Sequence, residues 1–262
     1  VTSMNRIAAK AGWTTRAVSV MSPDQVNWPG DFTSDWRAEF EKVGQAALTK
    51  FLKKYHAGPA PDSKILFQPY HSKKGSVQCV LTEIDSSRPA AVAVFTHTAK
   101  SNSGLPAGFV SSIIAKSGAP VFVVSAKSPP MKALKTILFA TDFSEVDAAA
   151  YEEALDFAAK VGAKVVVVNV LQNLVNEMMT SYAGIAGGWN GYADFLELQE
   201  SEANKNGQAW VDRAKTRGVK AEYELLSNSR TIWSGVLKSA KKHAANLIVM
   251  TEKTGPWEAI FI

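Results

Sequence analysis

The stretch "TILFATDFS" (Thr136–Ser144) places a carboxylate where chemistry can happen. A run of apolar β-formers ends in Thr141-Asp142, and a helical pattern begins almost at once. Asp142 at that point has two uses. Asp and Ser oxygens accept the orphan N–H groups of turns and helix N-termini, so the residue can cap. Open α/β sheets also bind ligands just outside the carboxyl ends of their strands, so the same carboxylate can face a ligand. The other reactive side chains form no constellation. His56, His71, His97 and His243 show no metal-ligand spacing. No Ser or Cys nucleophile has a base at a recognised spacing. Cys79 sits in an apolar helical pattern and reads as buried filler. "SKKGS" (Ser72–Ser76) lacks the upstream glycine of a phosphate loop and reads as a helix start.

These residues belong to an ordinary soluble composition, 46% hydrophobic and 20% charged. The net charge of +5 is mild. Its lysine pairs (Lys53-Lys54, Lys73-Lys74, Lys241-Lys242) are scattered, which suits solvated faces better than a nucleic-acid footprint. One cysteine excludes an internal disulfide and suits a reducing compartment. No apolar run approaches the roughly 20 residues of a membrane span, and no secretory signal is present. The expectation is a cytoplasmic protein with neither nucleic acid nor membrane as partner.

The elements that position Asp142 occur twice. "RIAAKAGWTTRAVSVM" (Arg6–Met21) lies on "DFAAKVGAKVVVVNVL" (Asp156–Leu171) at an offset of 150. Each joins an Ala-Ala-Lys-x-Gly helix end, with Gly where φ turns positive, to an apolar strand. Ser76–Thr98 lies on Thr231–Thr254 at an offset near 156, strand on strand. Two blocks in one order at nearly one offset mark an internal duplication.

Each copy alternates strand and helix, which predicts an α/β fold: two tandem open, mainly parallel sheets flanked by helices. Copy one spans 1–127 and reads as strand 15–21, helix 34–55, strand 64–69, helix 74–86, strand 90–96, helix 107–117 and strand 120–125. Residues 128–135 are a linker, where Pro129-Pro130 blocks regular structure. Copy two spans 136–262 and reads as strand 136–141, helix 146–161, strand 164–171, a Gly-rich loop (Tyr182–Tyr192), helix 193–217, strand 219–226, helix 230–244 and strand 246–251. Ala154, Leu155, Ala158 and Ala159 form the apolar stripe of its first helix. Trp28, Phe32, Trp189 and Tyr192 fall at matching places and either line a cleft or cover the sheets. By the offset, copy one's first strand lies before Val1, and copy two's last helix and strand lie beyond Ile262.

"KTILFATDFSEVDAAAYEEALDFAAKVGAKVVVVNVL" resembles the opening of a universal stress protein domain. "AAVAVFTHTAKSNSGLPAGFVSSIIAKSGAPVFVVS" is similar to that family's closing half. The resemblance covers nearly the whole chain as a tandem pair and implies that family's Rossmann-like fold. Many members bind ATP. It implies three contacts: an Asp after the first strand on the adenine or ribose side, a Val ending the second strand that offers backbone to the base, and a glycine loop after the fourth strand. Such loops let backbone N–H groups approach phosphate closely.

Carried onto this chain, the resemblance assigns Asp142 and Val170 to the first two contacts. The loop's two glycine places fall on Thr251 and Thr254 in "TEKTG", with Gly255 following. In copy one they fall on Phe95 and Thr98, and a Phe there adds bulk that closes the pocket. Threonine takes positive φ less easily than glycine, and Glu252 adds negative charge. The implied function is a stress-response binding and regulatory protein with at most one degenerate ATP site, in copy two, with Mg if ATP is bound. It is expected to have no catalytic residues. The implied partners are the two domains for each other, or a second copy in a homodimer. The alternatives are a nucleotide-independent interaction module and an adenylyl-transferring enzyme of the same superfamily. The enzyme's His-x-x-His signature does not occur in the sequence.

Overall fold

The computed structural model describes residues 2–26, 28–31, 33–55, 61–72, 75–96, 108–125, 133–171, 192–227, 229 and 231–252. The chain divides into two compact units, residues 1–132 with 252–262 and residues 133–251. Unit 2 is built on a four-stranded parallel sheet whose strands lie side by side in the order 221–226, 164–170, 136–140 and 247–249. Its elements are β5 (Thr136–Ala140), α5 (Glu145–Val161), β6 (Lys164–Val170), α6 (Tyr192–Thr216), β7 (Ala221–Leu226), α7 (Ile232–Lys242) and β8 (Leu247–Val249).

The two central strands carry the most apolar runs because both of their faces are covered. Ile137, Leu138 and Phe139 of β5 and Val165 to Val168 of β6 are fully buried. On one face Leu138, Val166 and Val168 pack against Val236 of α7. The other face carries an aromatic cluster. The Tyr151 ring stacks on Trp210 at 4.5 Å, and Phe139 meets Tyr151 at 5.1 Å. Helix α5 presents Asp147, Tyr151, Ala154, Leu155, Ala158 and Val161 inward, a 3.6-residue stripe. Ala159, expected on that stripe, is exposed instead. Gly162 ends the helix at φ 64°, the left-handed cap its place in the sequence foretells.

Unit 1 contains α1 (Thr2–Ala11), β1 (Arg16–Met21), a 3-10 turn (Pro23–Val26), α2 (Ser34–Tyr55), β2 (Asp62–Phe67), α3 (Gly75–Ser87), β3 (Val92–Thr96), α4 (Phe109–Lys116) and β4 (Val121–Ser125). From α1 to β3 its element order repeats that of unit 2 from α5 to β8. The strands pair in two parallel ladders, β1 with β2 and β3 with β4. Leu81 and Ile84 of α3 pack with Ile113 of α4 over Val92, Val94 and Val121. The Glu83 carboxylate ties the same helix to β1 and β2 through Arg16 at 3.4 Å and Lys64 at 2.7 Å. Cys79 is half-buried on α3, its thiol 3.4 Å from the Phe67 carbonyl and its pKa raised by burial. Gly75 opens α3, as read for "SKKGS". Among the described residues no helix is long and apolar enough to cross a membrane.

Candidate functional site

In unit 2 the chain leaves β5 for β6 on one side, while β8 pairs on the other. Strand order therefore reverses between β5 and β8, and a crevice outside their carboxyl ends is where open α/β sheets take ligands. The segment 141–147 lies there. Ser144 is the N-cap of α5, accepting a hydrogen bond from the Asp147 N–H at 3.4 Å. Capping thus falls to Ser144. Asp142 closes a turn instead, its Oδ1 accepting from the Ser144 N–H at 3.0 Å, with its side chain exposed. Phe143 between them adopts φ 64°, rare for a non-glycine residue. Its N–H donates to Thr141 Oγ1 at 2.8 Å, and its ring packs on Trp210 and Tyr223.

Asp147 organises the crevice. The residue is 2% exposed. Oδ2 accepts from the Thr141 hydroxyl at 2.8 Å and the Asp142 N–H at 2.9 Å. Oδ1 accepts from the Thr251 hydroxyl. One buried charge therefore joins the end of β5, the first turn of α5 and the residue beyond β8. Hydrogen bonds to the charged form are what make such burial tolerable.

Among the expected ligand residues, Asp142 and Thr251 are brought together through Asp147. Val170 ends β6 and packs against the Leu138–Val236 cluster. The last bond between β5 and β6 runs from the Thr141 N–H to the Val168 carbonyl at 2.9 Å. Two residues on, Val170 turns its backbone groups to the same side, past the end of β5. Thr254 and Gly255 lie outside the described residues, as do His56, His97, Thr98, Phe32 and Trp189; the side chain of Tyr192 is not described. Phe95 lies in β3, one residue before its end, and is 36% exposed. Trp28 packs on Trp36 and Phe40 of α2 rather than standing alone. His71 is held by Asp24, and His243 by Glu222 and Glu224.

The residues present suit the two ends of a nucleotide unequally. Asp142 and the Val170 backbone suit a nucleoside. The phosphate end does not fit. The first turn of α5 carries Glu145 and Asp147, which oppose the attraction of a helix N-terminus for anions. The Thr251 hydroxyl is engaged by Asp147. Sequence reasoning passed over Asp147. Its signal was the spacing Ser144-x-x-Asp147, a cap followed three residues later by an acid.

The universal stress protein family model matches residues 133–260, so the second half of the chain belongs to the universal stress protein family. The fold similarity runs further. A universal stress protein from Archaeoglobus fulgidus DSM 4304 covers 98% of this chain and 84% of its own at 13% identity, TM-score 0.61. A functionally unknown protein from Pseudomonas aeruginosa PAO1 covers 96% of this chain and 87% of its own at 11% identity, TM-score 0.50. A universal stress protein solved in complex with cAMP covers 45% of this chain and 75% of its own at 20% identity; at a TM-score of 0.29 that likeness transfers no ligand. No curated protein matches the chain.

Proposed function

We propose that the chain is a tandem universal stress protein, a stress-response protein that acts by binding and regulation rather than turnover. In this reading unit 2 keeps the nucleoside side of the family's ATP site and has lost the triphosphate grip. The observation that carries it is the Asp147 carboxylate, which engages the Thr251 hydroxyl where the resemblance places a phosphate-loop glycine. A group that a ligand must first detach from a buried charge is a poor phosphate contact. The shared element order of the two units supports the tandem reading.

Titration calorimetry with adenosine, ATP–Mg and cAMP tests the proposal. The expected result is weak binding, with Kd on the order of 1 mM, ATP no more than about threefold tighter than adenosine, and Asp142→Ala abolishing both. ATP bound at micromolar Kd and far above adenosine would overturn it. Steady release of ADP or of an adenylylated product would point to an enzyme instead. Heat from none of the three ligands favours the interaction module, which the exposed Phe95 in unit 1 also suits.

A further inference from the structure

Two exposed helix faces, one in each unit, carry opposite charges at mirrored spacing. On α2, Glu39, Lys42, Ala46 and Lys50 follow one another at steps of three, four and four residues, and all are exposed. On α6, Asp194, Leu198, Glu202 and Lys205 follow at steps of four, four and three, and all are exposed. Steps of three and four keep residues on one side of a helix, so each set is a stripe. The core sides of the helices lie elsewhere, at Gly44 and Leu52 in α2 and at Ala203, Trp210 and Ala214 in α6.

The two stripes match in one direction. Laid antiparallel with Leu198 opposite Ala46, they set Lys50 against Asp194, Lys42 against Glu202 and Glu39 against Lys205. Every pair is opposite in sign. Laid parallel about the same point, they set Lys53 against Lys205, and like charges in apposition oppose docking. Shape agrees with charge. Leu198 is 59% exposed and is the one large apolar side chain of its stripe. Ala46 lines a groove of about 540 Å³ along α2 together with Lys42 and Lys50. A small residue between two lysines leaves room for a leucine, as a hole takes a knob between packed helices. Among the described residues no charged member of either stripe has an ion-pair partner, whereas Lys64, Lys164 and Lys242 each have one.

We propose that α2 of one copy docks antiparallel on α6 of a second copy, with Leu198 seated over Ala46 and the three charge pairs beside it. Exposed ion pairs add little energy singly, so they fix direction and partner. Leu198 and the neighbouring Val43, 57% exposed, supply the apolar contact. The contact uses no sheet edge and no residue of the crevice, so it is independent of any nucleotide in unit 2.

Sedimentation equilibrium of the whole chain, with charge-reversed variants, is the test. The expected result is reversible self-association that weakens at least about tenfold when salt is raised to about 1 M. Lys42→Glu with Lys50→Glu, and separately Asp194→Lys with Glu202→Lys, are each expected to weaken it at least about tenfold while the circular dichroism stays unchanged. An equimolar mixture of the two variants is expected to associate again, because the reversed α2 of one then meets the reversed α6 of the other. A wild-type chain that stays monomeric up to about 1 mM, variants that associate as the wild type does, or a mixture that does not recover would each overturn the contact. Docking of α2 on α6 within one chain would leave the mass unchanged in every sample and overturn it equally.

Discussion

Asp147 and Thr251, 104 residues apart in sequence, share a hydrogen bond across the carboxyl ends of β5 and β8. It closes a set of three donors around one buried carboxylate: the Thr141 hydroxyl, the Asp142 N–H and the Thr251 hydroxyl. The crevice where a ligand would sit is thereby tied to the stability of the unit.

Asp147→Ala removes the acceptor from all three donors and leaves the Thr141 hydroxyl buried without it. The expected cost is about 3 kcal/mol. Asp147→Asn keeps the shape and part of the bonding and should cost about half as much. Urea unfolding followed by tryptophan fluorescence measures both, and equal midpoints for wild type and Ala would refute the anchoring role.

Two glycines in helices should respond to alanine differently. A Cβ at Gly207 of α6 would stand 2.5 Å from three atoms of the Tyr223 ring. The ring is hemmed in, and its phenol pKa is pushed up to about 12 by burial. Overpacking of about 1–3 kcal/mol outweighs the roughly 1 kcal/mol that Ala adds to a helix, so Gly207→Ala should be less stable. A Cβ at Gly44 of α2 instead meets the flexible Met21 methyl at 2.9 Å, with Ile65 next at 3.3 Å. Gly44→Ala should fall within about 0.5 kcal/mol of wild type. Thermal melts of both variants check the contrast.

Acid should weaken unit 2 through Glu222 and Glu224. A hydrogen bond from Lys164 leads in holding Glu222 below its ordinary value of 4.5. Burial pushes Glu224 upward, but hydrogen bonds from Lys242, Ser239 and His243 outweigh it and leave its pKa lowered. A depressed carboxyl pKa contributes stability that is complete above about pH 4.5 and is lost as pH falls through the folded value. Urea midpoints between pH 7 and pH 3 should therefore decline below about pH 4.5. Glu224→Gln should flatten that decline.

Much of the fold was legible because its signals are local. The alternation of apolar strands with 3.6-period helices placed α2 at 34–55 and α6 within a residue of 192–216. Gly162 marked the end of α5 by the backbone it requires. Residues 136–140 read as a doubly covered strand because all five are uncharged. What escaped depends on contacts between distant segments. Ser144, not Asp142, caps α5, a choice set by where the turn at Phe143 directs each side chain. The Asp147–Thr251 bond needs the sheet order, which no local spacing encodes. The aromatic cluster of Phe139, Phe143, Tyr151, Trp210 and Tyr223 draws on four elements and the turn after β5, which no local pattern joins.

The left-handed turn at Phe143 has a consequence for recognition. Such a conformation costs a bulky residue on the order of 1 kcal/mol, offset here by the Thr141 hydroxyl and the two neighbouring rings. It swings the Ser144 amide back onto Asp142 Oδ1 and so helps fix the orientation of an exposed carboxylate. An incoming hydroxyl or amine then meets an acceptor whose orientation was fixed when the chain folded, and little rotational freedom is left to lose on contact.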